Sequence, residues 1–448
     1  MCRRLHECEA EPRGDSAIEA GKVATQELLA FLHKVASSGK VKTPALFETA
    51  AAYCAFMLRD LDYSRQLLSN AKAYSMSPRL KDQWQLTSLL VTVNAAKKMD
   101  AATEREILPS VKWLAAKAIA DTTGARSWHA APWKLFYRNL LNDVIAKRYR
   151  AQGDRYKEAL AVGSAQYIQD GAQLLDYSSS GPAYMRDHLG SADVAALHKL
   201  TTSKTKTPFE TYLVTNNSIQ LKHMIDFAGT AYLRDNDYKQ AITWFSRAPS
   251  ALGLIEKDPF KELLFDQEER LGDDKVTCTK LTFAREMLRL QDLVKTDKAH
   301  AADHLYKMAL AYYNTTYYGY AWEVVEYNRS GSDGYYIPKD ATAFVKNYYG
   351  CFLAHDQFKR AMDASTDKEF RAKCLFMMAK CSQKQIRQPQ YGDFPGDWDK
   401  YEAASKTYYT EFRKNQYFPQ LKKEFGQTRF YQEAYNTCSY LRDFQITN

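Results

Sequence analysis

The chain has 448 residues, of which 45% are hydrophobic, 26% are charged and only 19 are glycine, and this composition disfavours a turn-dense β architecture. The formal net charge is +9, but the basic residues are spread along the chain rather than clustered with aromatic residues, so no nucleic-acid partner is expected. No apolar run approaches the roughly 18 residues that span a membrane, so no transmembrane segment is expected either.

Apolar residues recur with helical spacing along the first half of the chain. The spacing predicts helices over 18–36, 46–58, 63–74, 84–96, 109–119, 133–150, 159–175 and 191–200. The Lys/Thr-rich segment 201–208 indicates an exposed loop, and the main boundary of the chain is placed there. We therefore expect a flexible segment 1–15, a helical-repeat region 16–200 and a second helical-repeat region 201–448.

The second half of the chain continues the same pattern. Helices are predicted over 218–234, 238–248, 281–294, 301–313, 318–327, 341–353, 358–364, 368–383, 398–413 and 429–441. A polar and aromatic loop, 388–397, interrupts the series. No alternating β pattern lasts long enough to compete, so the predicted fold class is all-α.

The segment 225–249 carries the clearest internal pattern. A small residue, Gly229, allows close approach of a second helix, and Asn236 with Asp237 forms the turn between the two. This segment resembles the tetratricopeptide repeat at Gly229, Tyr232, Ala241, Phe245 and Ala248. The resemblance implies a right-handed superhelix, or solenoid, of antiparallel helix pairs with degenerate copies elsewhere, which binds other molecules rather than catalysing a reaction.

A looser resemblance concerns the order of three segments, 258–260, 279–287 and 311–322. That order is similar to large tetratricopeptide-like proteins of Bacteroidota, which implies a protein of the cell envelope. The start of the chain lacks the apolar core of a secretory signal, which by itself indicates the cytosol. The periplasm or the outer membrane is the alternative if an export signal is missing from this sequence.

Residues that often carry chemistry form no recognisable catalytic or metal motif. The eight cysteines include no CxxC pair and are interpreted as small buried hydrophobes. His300 and His304 share a helix face, but no third ligand follows at a known spacing. Asp393, Asp397 and Asp399 lie in a glycine-containing loop that lacks the EF-hand spacing for calcium. We therefore expect no catalytic residue, no metal and no cofactor.

Aromatic side chains supply the main candidate binding surface. Tyrosines cluster between residues 312 and 349, and they are interpreted either as core residues or as a patch that holds a partner. The predicted patch comprises Tyr312, Tyr317, Tyr318, Trp322, Tyr335 and Tyr336. The function predicted from it is a non-catalytic scaffold or adaptor that binds a protein or peptide on a concave surface.

Two alternatives stay open. The aromatic residues Tyr391, Phe394 and Trp398 are suited to stacking on sugar rings, which is typical of a glycan-binding envelope protein. Glycan-capture proteins of the SusD type resemble this arrangement, since they combine tetratricopeptide-like helices with aromatic-bearing loops, and 177–190 is a second candidate loop. The other alternative is an enzyme on an α-helical toroid, which requires a convergent acid–base pair in a cleft.

Overall fold

A computed structural model describes residues 15–122, 131–168, 181–249, 252–264, 266, 278–329, 337–338, 340–437, 441–442 and 444. The predicted flexible segment 1–15 lies outside this part, except for Asp15. The described residues form helices and no strand, with one isolated antiparallel bridge between Ile255 and Cys278. The all-α prediction is confirmed.

The chain divides into two compact units, Cys2–Met224 and Ile225–Asn448. In the N-terminal unit the helices are α1 (Asp15–Ser37), α2 (Pro44–Met57), α3 (Leu61–Lys72), α4 (Pro78–Ala95), α5 (Ala101–Ala120), α6 (Pro132–Asn139), α7 (Lys147–Ala151), α8 (Arg155–Tyr167), α9 (Gly181–His188), α10 (Ser191–Thr202) and α11 (Pro208–Thr215). A π-helical stretch, Leu140–Ala146, joins α6 to α7. Chain neighbours pack together, as in α1 with α2 and α2 with α3.

Side-chain caps fix the starts of several helices in this unit. The carboxylate of Asp60 accepts a hydrogen bond from the backbone N–H of Tyr63, and the hydroxyl of Ser77 accepts one from Leu80. At α11, Thr207 caps the backbone N–H of Glu210, and the Glu210 carboxylate accepts from the backbone N–H of Thr207. These bonds satisfy N–H groups that have no partner inside the helix.

The C-terminal unit repeats the same construction. Its helices are α12 (Leu221–Arg234), α13 (Tyr238–Phe245), α14 (Lys280–Thr296), α15 (Ala301–Asn314), α16 (Ala343–Gly350), α17 (Phe352–Asp363), α18 (Lys368–Lys384), α19 (Trp398–Arg413), α20 (Tyr417–Phe425) and α21 (Arg429–Thr437). Contacts run from α13 to α14, α15, α17 and α18 in turn, and α18 also packs on α20 and α21. Apart from α19, these helices contribute apolar side chains to one continuous core.

The boundary between the units falls inside α12, later in the chain than the sequence placed it. The sequence put the boundary between residues 200 and 201 because the segment that follows is polar. However, α10 packs on α8, and α11 packs on both α5 and α8. Their contacts place both helices with the N-terminal unit.

The segment 225–249 forms the expected helical hairpin from α12 and α13. Asn236, in the turn, has a positive φ of 59°, which asparagine tolerates better than most residues. A Cβ atom on Gly229 would lie 2.2 Å from the ring of Phe245, so only glycine allows this approach of the two helices. Ala241 and Phe245 are fully buried in the seam.

The prediction of a helix over 318–327 is wrong. This segment consists of turns and a single 3₁₀ turn, Trp322–Val324. Peptide groups near its start bond to residues outside it. The N–H of Tyr317, just before the segment, donates to the carbonyl of Tyr348 over 3.0 Å, and the N–H of Ala321 donates to the carbonyl of Asn314 over 2.8 Å. These contacts replace the bonds that a helix would need.

Among the described helices, none combines the length and the apolar character needed to cross a membrane.

Candidate functional site

The tyrosine-rich patch predicted from 312 to 336 lies largely in the core of the C-terminal unit. Tyr317 and Tyr318 are only 4% and 7% exposed, and Tyr312 and Trp322 are half-buried. Tyr335 and Tyr336 lie outside the described residues. Partner binding by this set stays a prediction, and the burial of Tyr317 and Tyr318 speaks against it.

A buried ionic cluster lies beside one residue of this patch, Tyr318. The Asp266 carboxylate lies 2.8 Å from the Lys380 ammonium and 3.0 Å from that of Lys384, and it accepts a hydrogen bond of 2.6 Å from the Tyr313 hydroxyl. Burial alone would raise the pKa of Asp266, but the two ammonium groups hold it well below its usual range. Lys384 also lies 4.2 Å from the ring centre of Tyr318. The cluster is therefore a packing feature of the core.

A small cavity beside Tyr312 is too small for a ligand. It measures about 40 Å³, and its walls include Tyr238, Tyr312 and Tyr348. The hydroxyl of Tyr348 is buried in the described structure without a hydrogen-bond partner. A space of this size accommodates water molecules, whereas ligand pockets are about ten times larger.

The loop between α18 and α19 presents a different kind of surface. Arg387 clamps this loop by two contacts. Its guanidinium Nη2 atom lies 2.9 and 2.7 Å from the two carboxylate oxygens of Asp393. Its Nε atom donates to the carbonyl of Ile337 over 3.2 Å. Gly396 turns the chain with a φ of +75°, a conformation that favours glycine. Asp397 then caps α19 by accepting from the backbone N–H of Lys400. The loop is thus fixed at both ends.

Four rings come together on this loop and the first turn of α19. We call Tyr391, Phe394, Trp398 and Tyr401 the aromatic ledge. The ring centre of Tyr401 lies 5.8 Å from that of Tyr391, 6.5 Å from that of Phe394 and 5.3 Å from that of Trp398. Tyr391 and Trp398 are 48% and 60% exposed. Large apolar side chains held at the surface in this way mark binding sites more often than packing defects.

Three of the four ledge residues are those predicted from the sequence, and Tyr401 was missed. Helical spacing is the signal that could have identified Tyr401. Residues three apart on a helix share a face, and Tyr401 follows Trp398 by three positions. Tyr401 contacts each of the other three rings and so sets their relative positions.

A scan against protein-family models and searches of curated proteins and of solved structures found no match for this chain. The site must therefore be judged on its own geometry.

The loop carboxylates have structural partners. Asp393 is held by Arg387, and Asp397 combines its capping bond with an ion pair of 2.8 Å to Lys400. The hydrogen bond from Lys400 lowers the pKa of Asp397. Asp399 is exposed on the first turn of α19. Two of the three carboxylates therefore hold the loop and the helix start in place.

His300, in the 3₁₀ turn before α15, and His304, on α15, share a carboxylate. Nδ1 of His300 and Nε2 of His304 each lie 3.0 Å from an oxygen of Asp297. Within the described residues, no group of three or more His, Cys, Asp or Glu side chains is arranged to hold a metal ion. Of the second candidate loop, 177–190, residues 177–180 lie outside the described part, and α9 covers 181–188.

The N-terminal unit exposes apolar side chains on its first two helices. On α2, Leu46, Tyr53 and Met57 are exposed and follow each other at spacings of seven and four, which places them on one helix face. On α1, Val23 and Phe31 are exposed as well. This apolar face is the second surface with a character suited to binding.

Proposed function

We propose that this protein is a non-catalytic binding protein built from stacked, tetratricopeptide-like helix pairs, and that its aromatic ledge binds a carbohydrate chain. The observation that carries the proposal is the exposure of Tyr391, on the loop that Arg387 clamps, and of Trp398, at the start of the helix that Asp397 caps. A preorganised surface loses little conformational freedom on binding, so more of the contact energy is retained as affinity.

The chemistry of the ledge suits a sugar. A pyranose ring has C–H groups on its faces and hydroxyl groups around its rim. Tyr391 and Trp398 offer broad aromatic faces for the C–H groups, while Asp399 and the rim of the loop offer acceptors for the hydroxyls. Tyrosine and tryptophan suit such sites because they combine an apolar body with a polar tip.

A double variant of the ledge tests this function. We expect wild-type protein to bind at least one polysaccharide in a panel of xylan, β-glucan, galactomannan and polygalacturonate, measured by affinity electrophoresis and calorimetry. Tyr391→Ala with Trp398→Ala removes the two exposed anchors, so affinity should fall by about tenfold or more.

The matched control is Tyr167→Ala, which removes an exposed tyrosine of the other unit and should leave binding unchanged. Absence of binding to every polysaccharide, or equal affinity in the double variant, would contradict a carbohydrate function for the ledge.

A scaffold that binds a protein partner is the second candidate, and the apolar face of α2 favours it. Exposed apolar faces of this kind are typical of protein interfaces. Tyr53→Ser with Met57→Lys should then abolish recovery of a specific partner in a pull-down from the native cell. Unchanged recovery would exclude this face.

A further inference from the structure

The helix α19 carries more of the exposed surface than the ledge alone. Trp398, near its start, and Tyr409, near its end, are 60% and 56% exposed. They are eleven positions apart, which corresponds to three helical turns, so both side chains lie on the same face about 16 Å apart along the axis. Exposed residues occupy the space between them, including Glu402. One face of α19 therefore links two aromatic platforms.

The second platform borders an open groove of about 770 Å³ at the C-terminal end of α19. The groove is lined in part by Lys406, Tyr409, Arg413, Lys414, Gln416 and Phe444. Among the described residues that line it, three are cationic and none has a carboxylate side chain. The groove therefore combines an aromatic wall with positive charge.

The cations of the groove are available to a ligand. Lys406 pairs with Glu402, and Lys414 pairs with Glu411, each over 2.8 Å, but all four side chains are at least half exposed. Such surface pairs contribute little and exchange readily for a better partner. Arg413 is exposed and has no ion-pair partner among the described residues. Its planar guanidinium suits a carboxylate, which it binds through two parallel hydrogen bonds.

The charge changes sign along α19. Residues 393–402, at the ledge, include four carboxylates and one cation, Lys400, whereas residues 403–416 include three cations and one carboxylate, Glu411. A polymer with a negative charge on every unit, such as a nucleic acid, would be repelled at the ledge. A chain that is neutral over the ledge and acidic at the groove would be attracted along its whole length.

We propose that the ledge and the groove form one extended site along α19 and that its occupant is an oligosaccharide bearing a uronic acid. This inference rests on the carbohydrate function proposed above and narrows it. Neutral sugar units stack on Trp398 and Tyr391, and a uronate carboxylate binds Arg413 with Lys414 nearby, while Tyr409 supports the sugar ring that carries it.

The test compares acidic oligosaccharides with their carboxyl-reduced, neutral forms by calorimetry on the full chain. The probes are glucuronoxylan oligosaccharides of different lengths, in which neutral sugar units separate the uronates. We expect at least one acidic probe to bind about tenfold more tightly than its reduced form, because hydrogen bonds to charged groups are the strongest ones available. Arg413→Gln with Lys414→Gln should abolish that difference, so that the acidic and reduced forms bind the variant with equal affinity.

Lys359→Gln with Arg360→Gln is the matched control, since it removes a similar exposed Lys–Arg pair from α17. It should leave the binding of every probe unchanged. Equal affinity for acidic and reduced probes, with ledge variants still losing both, would overturn the extended site but not the carbohydrate function. Failure of all glycans to bind would overturn both. Tighter binding of single-stranded oligonucleotides, lost in the Arg413/Lys414 variant, would show that the occupant is wrong.

Discussion

Single side chains in the C-terminal unit fall into two groups that differ in exposure rather than in type. Tyr317 and Tyr318 are buried, whereas Tyr391 and Trp398 are held at the surface by a clamped loop. The difference arises from what lies beneath them. Tyr318 lies against Lys384 of the Asp266 cluster, and Tyr317 packs on Tyr318. The exposed rings instead contact Tyr401 in the first turn of α19.

The buried ion cluster gives the first stability prediction. Asp266→Asn leaves the ammonium groups of Lys380 and Lys384 facing each other without a carboxylate. We expect a loss of about 3–5 kcal/mol in the free energy of unfolding, since an unpaired buried charge is strongly destabilising. Chemical denaturation of the full chain measures it.

The control for that variant is Asp363→Asn, which breaks the exposed pair with Lys359. Because surface pairs contribute little, its cost should stay below about 1 kcal/mol. Equal costs for the two variants would mean that Asp266 is not the buried counter-ion described here.

The exposure of individual aromatic side chains was the property that the sequence predicted least well. Composition indicated that aromatic residues matter, and Tyr391, Phe394 and Trp398 could be chosen because they lie in a loop with glycine and proline. Burial of Tyr317 and Tyr318 could not be predicted, because these rings pack against Tyr348 and Lys384, which are distant in the chain and meet them only after folding.

Local sequence signals determined the bounds of some helices, whereas tertiary contacts determined the structure of other segments. The bounds of α19 were predicted correctly, because Gly396 and the capping residue Asp397 mark its start and an amphipathic pattern follows. α9, α11 and α20 were not predicted. Each is short, and α11 and α20 carry a proline in the first turn, which sequence patterns often assign to loops. The incorrect helix over 318–327 shows the opposite effect, since tertiary hydrogen bonds overrode its apolar pattern.

The hairpin of α12 and α13 predicts the direction in which Gly229→Ala changes stability. In an open helix, replacing glycine by alanine stabilises by roughly 1 kcal/mol. At Gly229 the added methyl meets the ring of Phe245 at 2.2 Å, so Gly229→Ala should instead destabilise by about 1–3 kcal/mol. Thermal unfolding followed by circular dichroism measures the change.

Gly253→Ala serves as the control, because no atom lies within 4 Å of the position of its added Cβ. It should change stability little. A Gly229→Ala protein as stable as wild type would contradict the close approach of the two helices.

At the scale of the whole molecule, the two units share one principle of construction. Each places consecutive helices side by side around its own apolar core, which is what the helical periodicity predicted. The boundary between them was not predictable from composition, because α10 and α11 belong with the N-terminal unit through contacts with α5 and α8 rather than through any local signal. The tetratricopeptide resemblance and the superhelical arrangement stay predictions.

Binding of a carbohydrate chain on the aromatic ledge can be observed at Trp398 itself by fluorine NMR. The chain has 7 tryptophans, which incorporate 5-fluorotryptophan, and Trp398→Phe identifies the resonance of Trp398. On titration with the polysaccharide that binds in affinity electrophoresis, the Trp398 resonance should shift with saturation, while that of Trp244, only 5% exposed, should not. Saturable binding that leaves the Trp398 resonance unchanged would contradict binding at the aromatic ledge.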